Sequence, residues 1–315
     1  MSKTPLAASL AFASLLGLSI LAGPAAADEP LAAPYQLDIG RISVTALSDG
    51  QIPVPLADIM RGEPRPEIEA ALARAGKQSP VTLAVNTYLV AMPDGRLVLI
   101  DTGTGDLLGP KLGHLPESLK AAGHTPDEID DIVLTHIHAD HSGGLTRNGK
   151  AVFPKARLHV AERDAAYWLS DEARAAAPEA AWRGFDEAVA MTAPYRETGR
   201  FFTFADGADP VPGLQSILRA GHTPGHSSIV VSDQGETLVV WGDITHGEFV
   251  QFAEPEVTID FDVDQDAARR SRLAAMEDAA AKGYLVAGAH ITFPGIGRVT
   301  PGSDGAAYGW EPLPH

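Results

Sequence analysis

No cysteine occurs anywhere in the 315 residues. That absence excludes disulfides, thiolate metal sites and cysteine nucleophiles together, so any metal site has to be built from histidine and carboxylate. Positive charge is scarce too: 24 Lys and Arg face 41 Asp and Glu, a net charge of −17. Such a surface repels nucleic acid and anionic membranes and suits a neutral or weakly polar small-molecule substrate. Long apolar runs are lacking with one exception, Leu6 to Ala22, which carries no charge. Met1-Ser2-Lys3 precedes it, and Gly23-Pro24 and Ala25-Ala26-Ala27 lead from it into Asp28 and Glu29. A basic start, an apolar centre and a small-residue site together read as a secretory signal peptide, residues 1–27, cleaved near Ala27. The alternative is a retained anchor, since about 17 apolar residues lie at the low limit for spanning a bilayer. The expectation is a periplasmic or secreted protein with no membrane contact after cleavage.

What remains has an ordinary globular composition, 45% apolar and 21% charged. Residues 28–315 show no linker and no short-period repeat, and read as a single domain. Apolar and polar residues alternate from Gln36 to Leu47, as in a half-buried strand, with Asp49-Gly50 as a turn signal. The Pro-rich stretch Pro53 to Pro66 suggests an extended arm or lid. Val81 to Val90 and Leu97 to Ile100 form a hairpin pattern closed by Asp101-Thr102-Gly103. Short strands are expected at 132–134, 157–160, 214–219, 228–232, 237–241 and 284–287. Helices are expected at 67–75, 117–122, 161–169, 179–191 and 264–281, the last starting among Asp residues and ending at Gly283. Two successive strand-rich halves, each with helices, imply an α/β fold of two packed sheets covered on their outer faces.

The central feature is Thr135-His136-Ile137-His138-Ala139-Asp140-His141, four ligand-type side chains within six residues, directly after a strand. His136 and His138 sit two apart and can converge on one ion at a turn. Asp140 and His141 can then serve a neighbouring one. Four donors cannot close two sites, and later strands end in more of them: Gly221-His222-Thr223-Pro224-Gly225-His226, Trp241-Gly242-Asp243 and Gly288-Ala289-His290. Imidazole and carboxylate suit two divalent ions, zinc first, with manganese, iron or cobalt as options. Two such ions about 3.5–4 Å apart can share a hydroxide and polarise a carbonyl or phosphoryl oxygen, so no protein nucleophile is required.

HxHxDH, then GHTPGH, then GD, then a late His resembles the metallo-β-lactamase superfamily. The resemblance implies an αββα sandwich with His136, His138 and His222 on one metal, Asp140, His141 and His290 on the other, and Asp243 bridging. It assigns Asp101 as a buried support for a ligand histidine and His226 as a frequent non-ligand position. Asp140 is in addition the candidate for orienting or relaying a proton. Asp243 argues against true β-lactamases, and His138 against the diiron oxygen-reducing branch. Val44 to Gly50, Asn86 to Val90, Tyr167 to Ser170 and Phe293 to Gly297 are similar to the methyl parathion hydrolase family with its lactonase and aryl esterase relatives, typically exported homodimers. By that similarity Met60, Leu108, Trp168, Phe185, His246, Ile259 and Phe261 line the substrate pocket. Leu108 departs from the aromatic residue of the organophosphate enzymes, and Met60 stands where they carry Arg. With His246, Ile259 and Phe261, these departures point to a lactone or aryl ester substrate, with weak organophosphate turnover beside it. A dedicated phosphotriesterase, an acyl-homoserine lactonase and a non-catalytic metal-binding protein are the alternatives.

Overall fold

The computed structural model describes residues 31–303 and 305–314; the expected signal peptide lies outside the described residues. Seven strands form the first sheet, in the order Tyr35–Ile39, Ile42–Val54, Val81–Ala91, Leu97–Ile100, Asp131–Val133, Arg157–Ala161 and Phe201–Phe204. The first three pairings are antiparallel and the last three parallel. Six strands form the second sheet, Leu214–Leu218, Ser227–Asp233, Glu236–Gly242, Leu285–Gly288, Ile296–Pro301 and Tyr308–Pro312. Spatial order follows chain order in both.

Alternation along each strand sorts its side chains between two cores. Val44, Tyr88, Val90, Val98 and Ile100 face the second sheet and pack with Ile229, Val231, Leu238 and Val240. Their neighbours Leu47, Leu89 and Leu99 face outward and pack under Leu115, Leu119, Phe185 and Tyr195. Those residues belong to the helices Leu115–Ala121 and Trp182–Glu197. On the far side, Val239, Trp241 and Val286 are covered by Ala275, Met276 and Ala279 of helix Gln265–Lys282. The order helix, sheet, sheet, helix is the expected αββα sandwich. The last helix starts where the Asp264 side chain accepts the Ala267 N–H and stops at Gly283, whose φ of 66° few other residues adopt. Among the described residues, no helix is long and apolar enough to cross a membrane.

Three expectations need correction. Residues 36–47 are not one strand but a tight hairpin turning at Gly40, φ 59°. Asp49-Gly50 is not a turn: the strand continues through an irregularity between Ser48 and Gly50. Asp49 is instead buried, and its carboxylate accepts the N–H groups of Thr104, Gly113 and Leu115, pinning a loop that the sequence leaves unplaced. The Pro-rich stretch is not a loose arm. Pro53 is tolerated because the first strand pairs only as far as Ala46, leaving that side of the strand open. Met60–Arg61 then pairs with Thr258–Ile259, and Leu56, Met60 and Ile68 pack with Leu83 and Ile259 as a separate buried cluster.

Candidate metal centre

Every candidate ligand lies beyond the end of a strand, Asp140 and His141 on the helical turn Ala139–Ser142 and the others on loops, and all these segments meet at one edge of the sandwich. His136 to His141 follow strand Asp131–Val133, and His222 follows Leu214–Leu218. Asp243 directly follows Glu236–Gly242, and His290 follows Leu285–Gly288. They gather into two groups that share Asp243: His136, His138, His222 and Asp243, and Asp140, His141, Asp243 and His290. Within each group the donor atoms all lie within 4.8 Å of one another. His136 Nε2 is 3.1 Å from His138 Nδ1, His222 Nε2 is 3.2 Å from Asp243 Oδ2, and His290 Nε2 is 3.3 Å from the same oxygen. His141 Nε2 is 3.1 Å from Asp243 Oδ1. A tetrahedral ion with bonds of about 2.0–2.1 Å sets its ligand atoms roughly 3.3 Å apart. His141 Nε2, His222 Nε2 and Asp243 Oδ1 are buried and have no hydrogen-bond partner among the described residues. Orphaned donor atoms at this spacing fit divalent ions.

Electrostatics divides the histidines. Burial, reinforced by the neighbouring imidazoles His141 and His222, holds His136 and His138 well below the usual histidine range. Burial opposes charge on His141, His222 and His290 as well, but facing carboxylates outweigh it. Asp243, Asp101 and Asp140 raise His141 strongly; Asp243 and Asp262 raise His222 to about 9; Asp243 and Asp140 raise His290 to about 10. The carboxylates hold protons at the positions where a divalent ion would take their place.

Supporting contacts fix the rings of His141, His222 and His290. Asp101, in a left-handed backbone conformation with φ 62°, accepts the Thr135 N–H, the Thr135 hydroxyl and His141 Nδ1–H, each at 2.8 Å. His226 stands in neither donor group: its Nε2 accepts the Asp243 N–H at 2.9 Å while Nδ1 donates to Arg219 O. Gly242 between them has to be glycine, because a Cβ there would lie 2.7 Å from His226 Nε2. Sequence reasoning missed Asp262, which accepts His222 Nδ1–H at 2.8 Å, and the Ala84 carbonyl, which accepts His290 Nδ1–H at 2.9 Å. The Asp-rich run 260–264 carried a signal for the first; a backbone carbonyl leaves none.

A cavity of about 170 Å³ opens over the ligands. Leu108, Trp168, His246, Ile259 and Phe261 line it as expected. Met60 and Phe185 do not. Met60 is buried behind Ile259, its strand partner, and Phe185 is buried behind Trp168, ring centres 4.8 Å apart. Ile52, Val54, Leu83 and Val85 form an apolar wall that the sequence did not reveal, since strand alternation says which face is buried but not that it borders a cavity. His246 reaches the donor groups: Nε2 is 2.9 Å from Asp243 Oδ2, and the ring stacks on His290 at 5.4 Å.

The sequence profile of the metallo-β-lactamase superfamily matches residues 81–290. The chain belongs to the metallo-β-lactamase superfamily. Its two donor groups make a candidate binuclear metal site. Among solved structures it is similar to hydrolase AbOPH of the β-lactamase superfamily, 33% identical, TM-score 0.86, over 91% of this chain and 99% of that one. AidC, a dizinc quorum-quenching lactonase, shares the fold over the same fractions of each chain, at 24% identity and TM-score 0.82. An acyl-coenzyme A thioesterase, MBLAC2, of Bos taurus is 31% identical over 169 residues, 47% of this chain and 54% of that protein. An N-acyl homoserine lactonase of Bacillus cereus is 25% identical over 180 residues, 51% of this chain and 63% of that protein. The chain thus spans little more than half the length of these curated relatives.

Proposed function

We propose that the protein hydrolyses neutral lactones and aryl esters with two divalent ions, zinc by preference, held by His136, His138, His222, Asp140, His141, His290 and the shared Asp243. Such ions lower the pKa of bound water toward neutrality and polarise an acyl oxygen. The residues do the rest. Asp140 lies at the cavity and is 3.3 Å from His290 Nε2, placed to orient water and take its proton at a carboxylate oxygen. Trp168 packs edge-on against His138 and, with Leu108, excludes water from one side.

The observation that carries the reading is the wall formed by His246, Ile259 and Phe261 beside the ligands. A lactone carbonyl is flat and fits against such a wall. A tetrahedral phosphotriester projects substituents on every side and needs width where Ile259 and Phe261 stand. A net charge of −17 disfavours polyanionic thioesters such as acyl-coenzyme A. The apolar strip Ile52, Val54, Leu83 and Val85 would accept an acyl arm, so N-acyl lactones are the second reading within the same class. Export with loss of residues 1–27 and a homodimeric state belong to the same proposal, from the leader sequence and the family likeness.

The test compares kcat/KM for dihydrocoumarin and methyl parathion on metal-replete protein, with a chelated control. The lactone is expected to be turned over far faster, and Phe261→Ala to shift the ratio toward the phosphotriester by roughly tenfold. A faster phosphotriester reaction in the unaltered protein would replace this reading by dedicated organophosphate hydrolysis. Full activity after complete metal removal would overturn the mechanism. Asp140→Asn with both ions bound and undiminished turnover would remove the role given to Asp140.

A further inference from the structure

Asp164 lies in the helix Glu162–Trp168 and is fully buried. It is neither a ligand nor a pocket residue, and among the described residues no Lys or Arg is in ion-pair distance of it. It takes donors on both oxygens: Oδ2 accepts the Ile137 N–H and the Thr223 hydroxyl, both at 3.0 Å, and Oδ1 accepts the Gly225 N–H at 2.6 Å. Ile137 lies between the ligands His136 and His138. Thr223 and Gly225 follow the ligand His222. One carboxylate therefore joins the two loops that supply the three-histidine group. A backbone bond from Ser227 N–H to Thr135 O joins the same loops nearer the strands, and Asp164 joins them nearer the ligands. The approach is close: a Cβ on Gly225 would lie 2.4 Å from Asp164 N, so only glycine lets the backbone reach this carboxylate. Among the described residues no side chain ties the loops of the other donor group in this way: Asp101 binds Thr135 and His141 within one loop, and His290 leans on the Ala84 carbonyl.

We propose that Asp164 is a positioning residue that sets the spacing of His136 and His138 against His222, and so controls the affinity of the three-histidine group for its ion independently of the other group. An acceptor on each oxygen is what this task needs. Asparagine keeps the shape but has one acceptor oxygen, so in either orientation it loses at least one bond and sets an amide N–H against a backbone or hydroxyl donor.

The inference rests on the two-ion reading, and its test uses no substrate. Metal-stripped full-length protein is titrated with Zn²⁺ against a chromophoric chelator. Two ions are expected for the unaltered chain; uptake of none overturns the metal reading itself, and this inference with it. Asp164→Asn is then placed in two backgrounds. With His290→Ala, which leaves the three-histidine group, it is expected to weaken Zn²⁺ tenfold or more, in line with the roughly 10–100-fold effect of groups that orient ligands. With His136→Ala, which leaves the other group, the change is expected to stay under twofold. No loss in the first background, or equal losses in both, overturns the proposal while leaving the two-ion reading intact. If Asp164→Asn fails to fold by circular dichroism, Thr223→Val removes one of the three donors. A two- to fivefold loss confined to the first background then supports the proposal, and no loss there overturns it.

Discussion

His136, His138, His222 and Asp243 could offer three imidazoles and one carboxylate to a metal ion; Asp140, His141, His290 and the same Asp243 could offer two of each. The first group carries one formal negative charge and the second carries two when both share Asp243. The braces differ in the same sense. Buried carboxylates, Asp262 and Asp164, hold the first group's ring and loops. The second is held by one carboxylate, Asp101, and one neutral backbone carbonyl, that of Ala84. The nitrogen-rich group suits a borderline ion such as zinc, while the oxygen-richer group tolerates harder ions such as manganese. Two sites that share a ligand need not share a preference, and the supporting residues are where the difference is built.

The largest effect should come from the shared residue. Asp243→Ala removes a donor from both groups, so both ions are expected to weaken and kcat/KM to fall by roughly a thousandfold or more, because ions acting on a substrate oxygen contribute several kcal/mol. Elemental analysis alongside the kinetics checks it; a single tightly held ion would show that Asp243 serves one group only. Next come His222→Ala and His290→Ala, each expected to leave about one ion per chain by the same measurement. Retention of zinc in His290→Ala but exchange for manganese in His222→Ala would sharpen the contrast, and the reverse pattern would invert it. Smaller again are the braces. Asp262→Asn is expected to weaken the first group's ion about 10–100-fold and Asp101→Asn the second's, with little crossover; equal losses at both ions for either variant would dissolve the distinction.

The candidate donor groups were legible because chemistry concentrates them: six consecutive residues hold four donors, and each later donor stands beside a small residue after a strand. The sandwich was legible for a similar reason, since Tyr88, Leu89, Val90 and Val98, Leu99, Ile100 sort by alternation into two cores. Residues that act through space were not. Asp164 serves loops 27 and 61 positions away, and nothing local marks it. Asp49-Gly50 carries the composition of a turn, yet the sheet runs through it because partners in the loop 104–115 satisfy the carboxylate. Met60 and Phe185 failed as pocket residues because likeness places a residue near a cavity without saying whether a neighbour, here Ile259 or Trp168, stands in front of it.

A buried carboxylate of another kind supplies the control. Asp131, at the start of its strand and away from both donor groups, is buried and accepts Arg157 through both oxygens at 2.8 Å and His159 Nε2–H at 2.7 Å. Burial pushes its pKa up, but the bonds from His159 and Arg157 outweigh that and hold it below the usual carboxylate value. A depressed folded-state pKa means that the native chain binds fewer protons than the unfolded chain. The stabilisation is therefore fully present above the unfolded pKa of about 4 and is lost as pH falls through the folded value. Because Arg157 is half exposed, water weakens its share. Asp131→Asn is expected to cost about 1–2 kcal/mol of unfolding free energy at pH 7. In urea unfolding the deficit should stay constant down to about pH 5 and shrink as the pH falls further toward 3.5. Zn²⁺ uptake should be unchanged throughout. A deficit independent of pH would assign the loss to packing rather than charge, whereas any change in Zn²⁺ affinity would mean that bracing of the ligands extends through the sheet, and the contrast between two locally supported groups would fail.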